Sequence, residues 1–282
     1  MSGWCAGRGE DVRRHGTHDG GTTTAGRSEV TPFDAALVVA AGLACGIVNS
    51  IAGGGSLILF PSLLATGMPS LDANVTNSVA TWPGYVGGVV GFRREIADQR
   101  RRLPSLVVAT LAGSAVGCVA LLLTPEGAFD VVVPFLVLFA SLLTALQPAA
   151  KRRLARSGAT RETPGPTAVV GIFMAALYGG YFGGALGVIM VGVLGLTIQE
   201  SFKRLNASKS LLTLVDASVS VVVFGLFGPV RWAFVALAAP ATLVGGYLGA
   251  HLARRLDEGR LRAAVVVVGV SASVYLFVRA FT

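Results

Sequence analysis

Ala52-Gly53-Gly54-Gly55-Ser56 interrupts an apolar stretch running from 33 to 66, and Gly183-Gly184-Ala185-Leu186-Gly187 interrupts another, from 167 to 198. Each stretch is too long for one untilted membrane helix, which takes about 17–25 residues. Glycine is the poorest helix former after proline and leaves its backbone amides uncovered. Both stretches therefore read as broken helices. Six further apolar stretches surround them, at 73–92, 103–123, 131–147, 205–227, 232–253 and 261–281, each about one crossing long.

Composition agrees with a polytopic all-α membrane protein. Of the 282 residues, 53% are hydrophobic and 13% charged, against about 25% charged in an average soluble domain. That excludes a soluble enzyme and, beyond the first thirty or so residues, intrinsic disorder. The net charge of +8 would suggest a nucleic-acid partner in a soluble protein. Here the basic residues fall in loops, as they do on the cytoplasmic side of membrane proteins. No nucleic acid is expected, and the partner is the lipid bilayer.

The chain divides into a disordered polar tail (1–32), a first membrane half (33–150), a cytoplasmic linker (151–166) and a second membrane half (167–282). The tail lacks the apolar core of a signal peptide. Cys5, Cys45 and Cys118, like His15 and His18, show no metal-ligand spacing. No metal and no cofactor are expected.

The halves are related by an internal repeat. Adding 132 takes Gly55 to Gly187, Asn74 to Asn206, Thr76 to Ser208, Ser78 to Ser210, Phe92 to Phe224, Gly113 to Gly245 and Gly117 to Gly249. The Asn-x-Ser/Thr-x-Ser matches carry most of the information, because glycine matches are cheap in a chain with 37 glycines. The reading is two tandem four-segment repeats, about eight transmembrane segments in all. Gly113/Gly117 and Gly245/Gly249 lie one turn apart on a helix face, where missing side chains let another helix approach. Packing within the bundle is the simpler use of these pairs; a homo-oligomer interface is the other.

Orientation turns on the broken elements. Arg93, Arg94, Arg100, Arg101 and Arg102 place the 93–102 loop in the cytoplasm, with the basic 151–166 linker. If every segment crosses, the arginine-rich 254–262 loop is forced outside. If the first and fifth elements instead dip in and return, that loop becomes cytoplasmic and the halves are inverted. The distribution of Lys and Arg leans toward re-entry, a recurrent transporter device.

Chemistry is expected where polar groups persist at membrane depth. Irregular backbone there must be buried in protein or line a water-filled cavity, and broken helices present N-terminal amides to anions. Gly53, Gly54, Gly55, Gly183, Gly184 and Gly187 are therefore candidate substrate contacts. Asn74, Thr76, Asn77 and Ser78, with Asn206, Ser208, Lys209 and Ser210, are the polar starts of two apolar segments and join them. Within each set, residues at i, i+3 and i+4 share a helix face. Lys209 would hold an anion, and Asp216, two turns on, is the candidate for coupling to an ion. The opposing readings are a Lys209 that snorkels to the interface and an Asp216 that merely pairs with it.

Two other function classes fit less well. A rhomboid-like intramembrane protease from Ser56 and His251 would need Gly-x-Ser-Gly, and Leu57 follows the serine. A non-transporting scaffold would not need matched polar residues. No phosphate-binding loop is present.

Gly53-Gly54-Gly55-Ser56-Leu57 followed by Pro61, Leu63-Leu64, Gly67 and Pro69, then Ala73-Asn74-Val75-Thr76-Asn77-Ser78, resembles the first signature of the sulfite exporter TauE/SafE family. Tyr178-Gly179-Gly180-Tyr181-Phe182-Gly183, Asn206-Ala207-Ser208-Lys209 and Gly245-Gly246-Tyr247-Leu248-Gly249-Ala250 resemble the second-half signature. The likeness covers 33–281. It implies a multi-pass permease of the bacterial inner membrane, built by duplication, for a small anion such as sulfite or an organosulfonate. At Asp216 the chain departs from the family pattern, where asparagine is usual.

Overall fold

A computed structural model of the chain describes residues 30–51, 53–154, 164–198, 200–252 and 258–281. Residues 1–29 of the tail, most of the 151–166 linker and the start of the 254–262 loop lie outside these. Among the described residues the fold is entirely helical. The helices are α1 (Pro32–Ile51), α2 (Ser56–Ala65), α3 (Ser70–Gly91), α4 (Arg93–Ala97), α5 (Leu103–Leu123), α6 (Glu126–Leu154), α7 (Pro166–Tyr181), α8 (Leu186–Thr197), α9 (Phe202–Phe227), α10 (Trp232–Leu252) and α11 (Glu258–Phe281).

Local chemistry starts several of them. Thr31 and Asp34 exchange hydrogen bonds ahead of α1, with Asp34 N–H donating to Thr31 Oγ1 (3.1 Å) and Thr31 N–H to Asp34 Oδ2 (3.3 Å). Pro104 and Pro166 sit in the first turns of α5 and α7, where no amide is missed. Ser201 caps α9 by accepting from Arg204 N–H. By length and composition α1, α5, α6, α9, α10 and α11 can each cross a membrane. Exposed surface such as Leu123 (78%) and Phe227 (76%) is apolar, while Asp72, Asn74, Asn77 and Asp216 are buried. This inside-out distribution suits lipid as the solvent.

The apolar stretches at 33–66 and 167–198 each form a helical hairpin. After Ile51, Gly53 and Gly54 take φ of +78° and +87°, a region that favours glycine. Gly53 N–H reaches back to Val48 O (2.9 Å), and Gly55 N–H donates to Asn49 Oδ1 (2.8 Å). A Cβ at Gly55 would fall on the carbonyl of Cys45, so α2 begins alongside the later part of α1. The second break repeats this. Gly183 has φ +76° and its N–H reaches Tyr178 O (3.3 Å), while Leu186 packs against Gly179.

These bonds correct the repeat arithmetic. Gly183 follows Gly53 by 130 positions and α8 begins 130 after α2, whereas α9 begins 132 after α3. The offset of 132 does not run through without gaps, because α8 is two residues longer than α2. Gly55 therefore corresponds to Ala185, and Gly187 lies inside the first turn of α8.

Packing sets the relative directions of three helix pairs. α3 and α9 are antiparallel: Val75 packs at Gly228, Trp82 Nε1–H donates to Ser218 Oγ (2.9 Å), and Ser208 Oγ–H donates to Gln99 Oε1 (2.9 Å) just beyond α3. α5 runs parallel to α7, with Gly113 on Phe173 O, Gly117 on Leu177 O and Thr124 facing the Tyr181 hydroxyl. α1 runs parallel to α10, with Gly42 on Ala238, Gly46 on Thr242 and Ser50 donating to Gly246 O (2.9 Å).

One end of the bundle thus holds α4 and the starts of α5, α7 and α9. There Arg102 pairs with Glu200 and Lys203 with Glu95, whose carboxyl the Lys203 hydrogen bond holds below its ordinary range. The other end holds the starts of α1, α3 and α10, joined by Arg231 to Asp72 (2.7 Å). The hairpin α1–α2 starts and finishes at this second end, and α7–α8 at the first.

The Gly-x-x-x-Gly pairs are consumed inside the chain. A Cβ at Gly113, Gly117, Gly245 or Gly249 would meet backbone of α7 or α1, so the α5 pair receives α7 and the α10 pair receives α1. Buried Cys45 and Cys118 are free thiols within the apolar core. Pro83 lies within α3, which continues past it.

Candidate functional site

The two breaks open onto a common cavity of about 240 Å³. Gly53, Gly54 and Ser56 reach it from the first hairpin, Gly183, Ala185, Leu186 and Gly187 from the second, Asn206, Lys209, Ser210 and Thr213 from α9, and Tyr85 from α3. Ser56 and Leu186 are the first residues of α2 and α8. Helix starts carry amides without intrahelical acceptors and partial positive charge. Two such starts and one ammonium share the same lining, a combination suited to an anion.

Glycine makes the room. A Cβ at Gly187 would stand 3.2 Å from Lys209 Cε and 3.6 Å from Nζ, so the bare first turn of α8 accommodates the lysine stem. Gly53 and Gly54 are needed for the turn itself. Ser210 Oγ–H is spent on Asn206 O (2.8 Å), and Thr213 Oγ1–H on Lys209 O (2.9 Å). What these hydroxyls retain is acceptor capacity.

A second, narrow cavity of about 20 Å³ adjoins the first, sharing Ser56, Tyr85, Gly183, Leu186 and Thr213. Asn77, Ser78 and Asp216 line it. Asp216 is buried, its Oδ1 has no hydrogen-bond partner, and Ser114 Oγ–H donates to its main-chain carbonyl (3.1 Å). Gly179 faces the carboxylate, where a Cβ would lie 2.7 Å from Oδ1 and 2.9 Å from Oδ2.

The remaining candidates sit elsewhere. Asn74 donates from Nδ2 to Tyr181 O (3.0 Å) at the end of α7. Thr76 Oγ1 accepts from Arg231 N–H (3.1 Å), tying α3 to the start of α10. Ser208 holds Gln99 beside α4. Gly55 and Gly184 are packing positions, against Cys45 O and against Phe182 with Ala140. None of these five lines either cavity. Conversely, Asn49, Ser50, Tyr85 and Thr213 line the wide cavity without having been singled out. Thr213 could have been found as the repeat partner of Thr81, both bonding three residues back within their helices.

The family described as sulfite exporter TauE/SafE matches residues 38–276. The probable membrane transporter protein YfcA of Escherichia coli (strain K12) is 26% identical over 248 residues, covering 85% of this chain and 88% of that protein. A probable membrane transporter protein of Haemophilus influenzae is 26% identical over 237 residues, covering 83% and 90%. Probable membrane transporter protein ORF9 of Sinorhizobium sp. is 27% identical over 244 residues, covering 85% and 90%. No solved structure matches the chain.

Proposed function

Because the chain belongs to the sulfite exporter TauE/SafE family, and is thus a multi-pass transporter of the bacterial inner membrane rather than an enzyme, we propose that it carries a small sulfur-containing anion, sulfite or an organosulfonate. The observation behind this is the wide cavity, where Lys209 and the starts of α2 and α8 share one lining. The amides of Gly53, Gly55 and Gly183 are spent on Val48 O, Asn49 Oδ1 and Tyr178 O, so an anion there would take the partial positive charge of the two helix starts and the full charge of Lys209. About 240 Å³ is room for a sulfite ion or a two-carbon sulfonate. Gly53, Gly54, Gly183, Gly187, Asn206, Lys209 and Ser210 are the proposed contacts, with Asn77 and Ser78 beside Asp216.

In this reading the halves are inverted repeats of four segments, 33–150 and 167–282, with about eight membrane segments. The two hairpins re-enter, and the arginine-rich end faces the cytoplasm. Coupling would come from an ion gradient acting through Asp216. The test is counterflow of radiolabelled sulfite and sulfoacetate into proteoliposomes. Saturable uptake that falls at least tenfold in Lys209→Ala supports the assignment, and unchanged uptake in that variant would remove Lys209 from the site.

A further inference from the structure

The narrow cavity is lined mainly by acceptors, with the hydroxyls of Ser56 and Tyr85 as the further polar groups on its wall. Ser78 Oγ–H donates to Asn74 O, Thr81 Oγ1–H to Ser78 O, Thr213 Oγ1–H to Lys209 O and Ser210 O, and Ser220 Oγ–H to Asp216 O. A hydroxyl has one proton, so each of these four keeps only lone pairs. Asn77 and Asp216 line the same cavity, and the Oδ1 of each is buried without a hydrogen-bond partner. Backbone adds to the pattern. The amide of Gly183 bonds Tyr178 O instead of Gly179 O, which leaves the end of α7 with an unclaimed carbonyl and negative partial charge beside Asp216.

Unpaired buried acceptors are costly, and a buried charge without a counter-charge more so. A water would satisfy two acceptors and leave the carboxylate charge uncompensated. A proton on Asp216 would neutralise it and satisfy one acceptor more. A bare cation satisfies the carboxylate, the Asn77 carbonyl and the hydroxyl lone pairs together, and oxygen ligands suit a hard cation. One carboxylate balances one positive charge. Among the described residues there is no group of three or more acidic, histidine or cysteine ligands for a divalent metal. The volume of about 20 Å³ holds a single occupant of water size.

We infer that this cavity is a sodium site, with the Asp216 carboxylate and the Asn77 side-chain carbonyl as its principal ligands and the hydroxyl oxygens of Ser78, Thr81 and Thr213 around them. The inference rests on Asp216 as the coupling residue and adds the identity of the ion. The shared wall of Ser56, Tyr85, Gly183, Leu186 and Thr213 puts the ion next to the anion cavity, so that filling one changes the field and the shape of the other.

The experiment is equilibrium binding of radioactive sodium to the purified full-length protein at fixed pH, with no anion substrate present. Saturable binding of one ion per chain is expected, competed by lithium better than by potassium. Asp216→Asn should weaken it at least tenfold and Asn77→Leu several-fold, in protein that stays monodisperse on gel filtration. Should Asp216→Asn fail to fold, Asp216→Glu, which moves the carboxylate by one methylene, should alter the preference between lithium and sodium. Absence of saturable sodium binding by folded wild type overturns the inference. If flux is then driven by a pH gradient and lost in Asp216→Asn, the carboxylate carries a proton and its coupling role stands. If Asp216→Asn leaves flux and its ion dependence intact, the coupling role falls as well.

Discussion

Gly187 and Lys209 occupy one another's space: a single methyl group at Gly187 would stand 3.2 Å from the lysine Cε. The first turn of α8 is thereby shaped around the ammonium that faces the wide cavity. Gly187→Val should displace the lysine and raise the half-saturating anion concentration while the protein still folds. Lys209→Ala should lower flux by about 10- to 100-fold, since a charge-assisted contact is worth about 1.5–3 kcal/mol. Proteoliposome uptake over a range of anion concentrations separates the two effects.

Ala185 holds φ of +57° at the start of α8. A left-handed L-residue costs about 1–2 kcal/mol, and glycine at that position returns about 0.5–1 kcal/mol of the gain as chain entropy. Ala185→Gly should therefore stabilise the protein slightly, by about 0.5–1 kcal/mol, and Ala185→Val should destabilise it. Thermal unfolding in detergent reads both, and a lower midpoint for the glycine variant would contradict the strain argument.

Asp72 is buried, while its partner Arg231 is half exposed, and the two meet at 2.7 Å. Removing the arginine leaves a buried carboxylate uncompensated. Arg231→Ala should cost about 1–2 kcal/mol, an amount discounted for the exposure of the guanidinium. Asp72→Asn in the same background should recover part of that loss. A double-mutant cycle on thermal stability measures the recovery.

The glycine faces of α5 and α10 are closed by backbone, with Gly117 on Leu177 O and Gly245 on Leu43 O. Gly117→Leu and Gly245→Leu should each destabilise the monomer by several kcal/mol, because overpacking of one methylene already costs about 1–3 kcal/mol. A change in oligomeric state with unchanged thermal stability would assign these faces to a partner chain instead.

Re-entry of both hairpins makes the 124–130 and 254–262 loops lie on opposite sides. Single cysteines at Gly127 and Arg260, in a chain with Cys5, Cys45 and Cys118 replaced, should label from opposite faces of oriented vesicles. Labelling of both from one face would require the hairpins to cross.

Much of this architecture is legible before folding, and the illegible part has identifiable causes. Glycine clusters inside apolar stretches announce the breaks, and Lys209 and Asp216 are conspicuous as charges within them. The two-residue difference between α2 and α8 is hidden, because Gly187 matches Gly55 as a letter while serving as space for a lysine. Asn49 and Tyr85 are not legible, because a lone polar residue in an apolar helix gives no spacing to read. Only the turn at Gly53–Gly55 brings the Gly55 amide onto Asn49. Thr76 and Ser208 mislead in the other direction. Both are matched in the two halves, yet each binds the loop at its own end of the bundle.

The exchange of helices between halves, α5 onto α7 and α10 onto α1, governs how the chain can be made. When the ribosome has delivered residue 150, α1 and α5 exist, but neither helix that closes on them has been synthesised. The glycine face of α5 and the groove of α1 therefore gain their partners only when α7 and α10 arrive. A nascent chain cut short after the linker would leave α1 and α5 without the backbone that closes on them.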